Sequence, residues 1–230
     1  GSSTSFKDFA AGKTDVGMSS RPIKEKEVNK LSFLGKMDSN ESEYVIALDG
    51  LPIIVHKNNP LSQLSKTTVK KIFSGEIKSW SQLGLSKGKI NVYARDDKSG
   101  TYDTFKSLVL GKNTSLVKTV KRFESNAKLS DEVSNDPNGI GFVGLAYVRN
   151  SKVLAISDTD TRALIPGTFS VATEDYVLSR RLFMYVPEKN AHPLAKEFVK
   201  FAASAKADSI VTKIGFVSQA INGYRVSIPQ

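Results

Sequence analysis

The stretch Ile90-Asn91-Val92-Tyr93-Ala94-Arg95-Asp96-Asp97-Lys98-Ser99-Gly100-Thr101, continuing through Tyr102 to Leu110, decides how this chain is read. Residues 90–93 have the composition of a short buried strand. Beyond them Tyr102, Phe105, Leu108 and Val109 recur with the period of a helix face. Between strand and helix lies a loop in which Ser99 and Thr101 can cap the helix and Gly100 lets a ligand approach the backbone closely. The first turn of a helix leaves N–H groups unpaired and its dipole favours negative charge, so an anion is the natural guest. Arg95 adds a planar fork of donors suited to a tetrahedral oxyanion. An ordinary capped helix with a surface Arg–Asp pair fits the same residues, and the loop alone leaves both readings open.

Working outward, Phe6, Phe9 and Ala10 predict a short helix closed by Gly12, with Ser5 and Asp8 in the spacing of a capping signal. Asp15-Val16-Gly17-Met18-Ser19-Ser20-Arg21-Pro22 reads as a strand entering a polar turn, with Arg21 either on the surface or adding positive potential. A helix is predicted over 28–37, two buried strands over 44–48 and 51–55 around Asp49-Gly50, and a helix from Thr67-Thr68 to Gly75. Trp80 reads as a packing anchor. The run from Phe123 to Val133 predicts a helix after Ser125-Asn126, with strands over 140–143, 153–156 and 180–186 and a helix opened by Pro193 with Leu194, Phe198, Val199 and Phe201 on one face. The last helix is placed at 209–214, ended by Gly215. Strands alternating with helices make the fold class α/β.

The 230 residues suffice for one large domain or two small ones, and 40% hydrophobic with 24% charged content is that of an ordinary globular protein. The formal charge of +10 comes from scattered residues, without a zinc-finger spacing or basic–aromatic module, so it reads as a solvated surface and nucleic acid is not expected. With no cysteine there are no disulfides and no thiol chemistry. The nucleophile-elbow and nucleotide-phosphate glycine motifs are missing. His56 and His192 stand in ordinary surface contexts, and the adjacent Asp96 and Asp97 point apart. No catalytic residue and no metal ligand is assigned; the polar inventory suits holding an anion better than attacking one.

Five segments, in order along the chain, then carry a resemblance: Gly1-Ser2-Ser3 with Asp15 to Pro22; Ile72-Phe73-Ser74-Gly75-Glu76-Ile77-Lys78-Ser79-Trp80; Arg95 to Thr101; Asn138-Gly139-Ile140-Gly141-Phe142; and Leu178-Ser179-Arg180-Arg181-Leu182-Phe183. The chain resembles the PstS-like phosphate-binding proteins of ABC importers, type II periplasmic binding proteins. The resemblance implies two α/β lobes joined by two crossing strands, residues 1–48 with 183–230 and residues 49–182, closing on one phosphate. By position, Ser2 and Ser3 match the serine loop of the first lobe, Arg95 the arginine that pairs the anion, Asp97 the aspartate that orients it, and Ser99, Gly100 and Thr101 the helix start of the second lobe. Ser20 stands where many relatives have an aspartate that accepts the proton of hydrogen phosphate, so weaker discrimination against sulfate is expected.

Relatives also begin with a strand, a loop and a helix before the serine loop, whereas this sequence starts at that loop. One βα unit of the first lobe is therefore expected to be missing, leaving a strand edge unpaired and the anion cage incomplete. The implied function is extracytoplasmic, in the periplasm or at the cell surface: capture of inorganic phosphate, without cofactor, as a monomer, for delivery to a membrane permease. Two alternatives stay open, an envelope or adhesion protein reusing the scaffold and a receptor for another oxyanion such as sulfate.

Overall fold

The computed structural model describes residues 1–86, 88–221 and 224–225. In chain order it begins with α1 (Ser2–Ala10), β1 (Gly17–Ser19), α2 (Glu25–Lys30), β2 (Glu43–Gly50), β3 (Ile53–Val55), β4 (Gln63–Ser65) and α3 (Lys66–Ser74). Then come β5 (Asn91–Arg95), α4 (Gly100–Phe105), β6 (Lys121–Phe123), α5 (Asn126–Asn135), β7 (Gly139–Phe142) and β8 (Lys152–Ser157). The chain continues with α6 (Thr168–Ala172), β9 (Ser179–Tyr185), α7 (Pro193–Ala202) and α8 (Asp208–Lys213). Helix α4 runs on into a π-helical segment, Lys106–Leu110.

Local chemistry sets these boundaries. Ser65 Oγ accepts from Thr68 N at 3.1 Å to start α3, and Gly75 ends it in the left-handed region at φ 84°, where a side chain would be strained. Ser125 Oγ caps α5 by accepting from Lys128 N. His192 Nδ1 accepts from Leu194 N, so this histidine caps α7 ahead of Pro193.

By packing, the chain forms two compact units: residues 1–49, 98–100 and 180–230, and residues 50–97 and 101–179. The lobe boundaries read from the sequence differ in placing residues 49, 98–100 and 180–182 with the second lobe.

The first unit holds a sheet of order β1-β9-β2. Strand β1 runs antiparallel to β9, with Met18 opposite Met184 and Ser19 opposite Phe183. Alternation sends Phe183 and Tyr185 to one face, against Phe6 and Phe9 of α1 together with Leu31 and Met37. The Phe6 ring meets Tyr185 edge-on at 5.1 Å. On the other face Met184 and Val186 pack with Ala195 and Val199 of α7, while Leu182 packs with Ala47 and with Val211 of α8. The buried pair Asp49–Arg180 joins the end of β2 to the start of β9, with Nε and Nη2 both donating to Asp49 Oδ2 at 3.0 and 2.6 Å.

The second unit is built on a mixed sheet of order β4-β8-β3-β7-β5-β6. β3 is antiparallel to β7 and β8, whereas β5 lies parallel to both β6 and β7. Helix α5 covers one face through Leu129 and Val133, against Ile54, Tyr93 and Val143. Elsewhere in this unit Phe105 stacks on Phe142 at 4.0 Å between ring centres, and Phe73 closes the cluster from α3. Trp80 is buried and its Nε1–H donates to Asn138 O at 3.3 Å.

Three expectations are corrected. Helix α1 starts at Ser2, not near Ser5, because the Gly1 carbonyl already accepts from Thr4 N and Ser5 N. The helix expected over 28–37 is the earlier and shorter α2, followed by a 3₁₀ turn, Ser32–Leu34. The apolar face expected on α7 is split: Ala195 and Val199 face the sheet, while Leu194 (65% exposed), Phe198 (52%) and Phe201 (44%) face solvent.

Candidate functional site

In the first unit the candidate residues gather at the start of α1. Ser2 is buried, and its Oγ accepts from Ser20 N at 3.0 Å and lies 3.5 Å from Ser20 Oγ. Gly100, the first residue of α4, packs against both: a Cβ there would lie 2.1 Å from Ser2 Oγ and 2.5 Å from Ser20 Oγ. Only glycine allows that approach. Ser2, Ser20 and Gly100 therefore come together, with Ser99 buried beside them in sequence. The nine-residue α1 directs its unpaired first-turn N–H groups and the positive end of its dipole at its own start.

Ser3, half-buried, sits one residue further on, and its Oγ accepts from Arg21 Nη2 at 3.2 Å. Arg21 is not a surface residue. It is buried, spans Glu27 with two parallel bonds of 2.7 and 2.8 Å, donates to the Pro22 carbonyl and lies 5.2 Å from the centre of the Phe6 ring. Glu27 Oε2 also accepts from Lys24 N, completing the first turn of α2. Nearby, Tyr185 donates to Glu43 Oε2 and accepts from Ile23 N. Burial, and next the bond to Glu43, push its hydroxyl far above the ordinary tyrosine range, so it stays protonated.

In the second unit, Arg95 is the last residue of β5, at the carboxyl end of a strand flanked by parallel neighbours. Open α/β sheets bind ligands at that end. Arg95 is buried, and it donates from Nε to Phe123 O at 3.2 Å and from Nη2 to Glu124 O at 2.6 Å, which fixes the plane of the guanidinium. Thr101, also buried, is the second residue of α4. Asp97 departs from the role the resemblance implied. Its carboxylate is 77% exposed and accepts from Arg122 Nη1 at 2.7 Å, whereas Arg95 donates to the carbonyls of Phe123 and Glu124. The reason is register: β5 and β6 pair Ala94 with Arg122 and Arg95 with Phe123, which sets Arg122 beside the loop. Arg122 also donates to Arg95 O and stacks over Tyr102 at 4.7 Å.

Two participants escaped the sequence reading. Nothing in the sequence marks Arg122, and the two roles open to Arg21, surface residue or source of positive potential, do not include a bridge to Ser3. The available signal was Glu27, six residues after Arg21, at the spacing of a capping residue for α2. Among the described residues, no group of three or more His, Cys, Asp or Glu is gathered to hold a metal ion. No described helix is long and apolar enough to cross a membrane. Hydroxyls, helix-start N–H groups and a guanidinium are each donors of the kind a small oxyanion accepts.

Comparison with known proteins points the same way. The PBP superfamily domain model matches residues 1–206. The phosphate-binding protein PstS of Staphylococcus haemolyticus (strain JCSC1435) is 32% identical over 98% of this chain and 72% of its own length. The corresponding protein of Staphylococcus aureus (strain USA300) is 33% identical over 98% of this chain and 69% of its own. Among solved structures, a putative phosphate ABC transporter substrate-binding protein with bound phosphate from Clostridium perfringens superposes with a TM-score of 0.80 at 30% identity, covering 95% of this chain and 84% of that one. An ABC-type phosphate transport receptor from Vibrio cholerae gives 0.74 at 27%, covering 94% and 85%. The α/β architecture is that of a type II periplasmic binding protein, and the chain belongs to the PBP superfamily and, within it, to the PstS family of phosphate-binding proteins.

Proposed function

We propose that this protein is an extracytoplasmic receptor that binds inorganic phosphate and hands it to an ABC-type permease, without catalysing a reaction on it. The observation that carries this reading is the meeting of Ser2, Ser20 and Gly100 at the start of α1, where a glycine is required and hydroxyls converge. In this reading residues 1–48 with 183–230 and residues 49–182 act as two lobes. Ser2, Ser3 and Ser20 serve the anion from the first, Arg95 and Thr101 from the second, and Ser99 and Gly100 from the segment that packs with the first. Charge-assisted hydrogen bonds contribute about 1.5–3 kcal/mol each. A handful of them, less the costs of association, reaches the roughly −8 kcal/mol of a micromolar complex with no metal or cofactor. The phosphate-binding relatives and the phosphate-bound structure support the choice of ligand.

Ser20 qualifies the selectivity. A hydroxyl can accept the proton of hydrogen phosphate or donate to a fully deprotonated oxyanion, so sulfate is not rejected as it would be beside an ionised carboxylate, which can only accept. Titration calorimetry of the chain with phosphate and then sulfate tests the reading. One saturable phosphate site of micromolar or tighter affinity is expected, with sulfate competing measurably, and solution scattering is expected to show a smaller radius of gyration at saturating phosphate. No heat at millimolar phosphate would end the proposal.

A further inference from the structure

We infer that Arg21 is a positioning residue for the anion, acting through Ser3; the inference rests on the phosphate reading above. A hydroxyl has one hydrogen to give and lone pairs to receive. At Ser3 a lone pair is occupied by the Arg21 Nη2 donor at 3.2 Å, so the Ser3 hydrogen is turned away from the guanidinium and toward whatever acceptor arrives at the start of α1. At Ser2 the same polarity is set by the backbone, since Ser2 Oγ accepts from Ser20 N. Both serines of the helix start are thus oriented as donors by the protein itself, the preorganisation that lowers the cost of binding.

The surroundings of Arg21 fit this role better than a role in stability. Burying an arginine with a glutamate costs desolvation that apolar residues of similar volume would avoid. Here the pair is built to fix a direction. Glu27 takes both Nη groups, Phe6 lies beneath the guanidinium, and the Pro22 carbonyl receives a further bond from Nη1. Because Phe6 and Ser3 are one turn apart on α1, a single planar fork fixes both the helix and the hydroxyl at its start. Glu27 also neutralises the charge, so Arg21 works by geometry and not by adding positive potential at the site.

That distinction is testable because the two mechanisms predict opposite results. Phosphate affinity is measured by calorimetry for the full chain and for Ser3→Ala, Arg21→Lys, Glu27→Gln and the double variant Ser3→Ala/Arg21→Lys, with the unfolding midpoint of each recorded without ligand. Lysine keeps the charge but cannot hold Glu27 and Ser3 together. Positioning predicts that Arg21→Lys weakens phosphate binding about as much as Ser3→Ala, on the order of tenfold, and that the double variant is hardly worse than either. It also predicts that Glu27→Gln weakens binding, although removing that negative charge would strengthen it if the field alone mattered. Arg21→Lys binding like the parent chain, independent losses multiplying in the double variant, or tighter binding by Glu27→Gln each overturns the inference while leaving the phosphate reading in place. A parent chain that binds no phosphate overturns both.

Discussion

Serines at the start of α1 and the arginine at the end of β5 both present donors, but they are braced by different means. Arg95 is held by main chain: its two bonds to the carbonyls of residues 123 and 124 follow from the parallel register of β5 and β6. Ser3 is held by side chain, through a buried guanidinium that itself needs Glu27. A brace made of backbone comes with the sheet and cannot be removed by substituting one neighbour. One made of side chains can be lost through a single substitution outside the site. The first unit should therefore be the half whose binding geometry is easier to alter from a distance.

The largest effect that would sharpen this contrast is expected at Arg95. Arg95→Ala removes the charged donor while leaving the carbonyls that braced it, and phosphate affinity should fall by at least about 100-fold, consistent with two charge-assisted bonds of about 1.5–3 kcal/mol each. Retained binding in calorimetry would remove Arg95 from the site. Next is Gly100→Ala, whose added carbon would meet Ser2 Oγ and Ser20 Oγ well inside contact distance. Overpacking of this kind costs about 1–3 kcal/mol, so a loss of roughly tenfold or more in affinity is expected, together with a lower unfolding midpoint. The smallest effect is expected from Arg122→Leu. Its pair with Asp97 is largely exposed, and such pairs are worth about 0–1 kcal/mol, so phosphate affinity should change by less than about threefold. A large loss there would mean that Arg95 depends on a side-chain brace after all, and the contrast between the halves would collapse.

Much of the fold was legible because period and caps agree along the chain. Val69, Ile72 and Phe73 between Ser65 and Gly75 give a helix with both ends marked, and α3 has those ends. The strand–loop–helix run from Asn91 to Phe105 was equally plain. What period alone cannot say is what covers an apolar stripe. Leu194, Phe198 and Phe201 share a face of α7, yet the sheet meets the neighbouring stripe of Ala195 and Val199. The site was legible where a motif is contiguous, as from Arg95 to Thr101. It was not legible where a partner arrives through register or across a turn. Asp97 meets Arg122 only because β5 and β6 lie side by side, and Arg21 next to a proline reads as surface until Glu27 folds back on it.

The uncovered stripe on α7 bears on how the protein behaves in a test tube. Each molecule is a cation of formal charge +10 carrying an oily strip. In dilute buffer mutual repulsion keeps such particles apart, but the screening length shrinks from about 10 Å at 0.1 M salt to about 3 Å at 1 M. Concentrated salt therefore brings the strips within reach of one another, and preparations should stay dispersed longest when ionic strength is kept low.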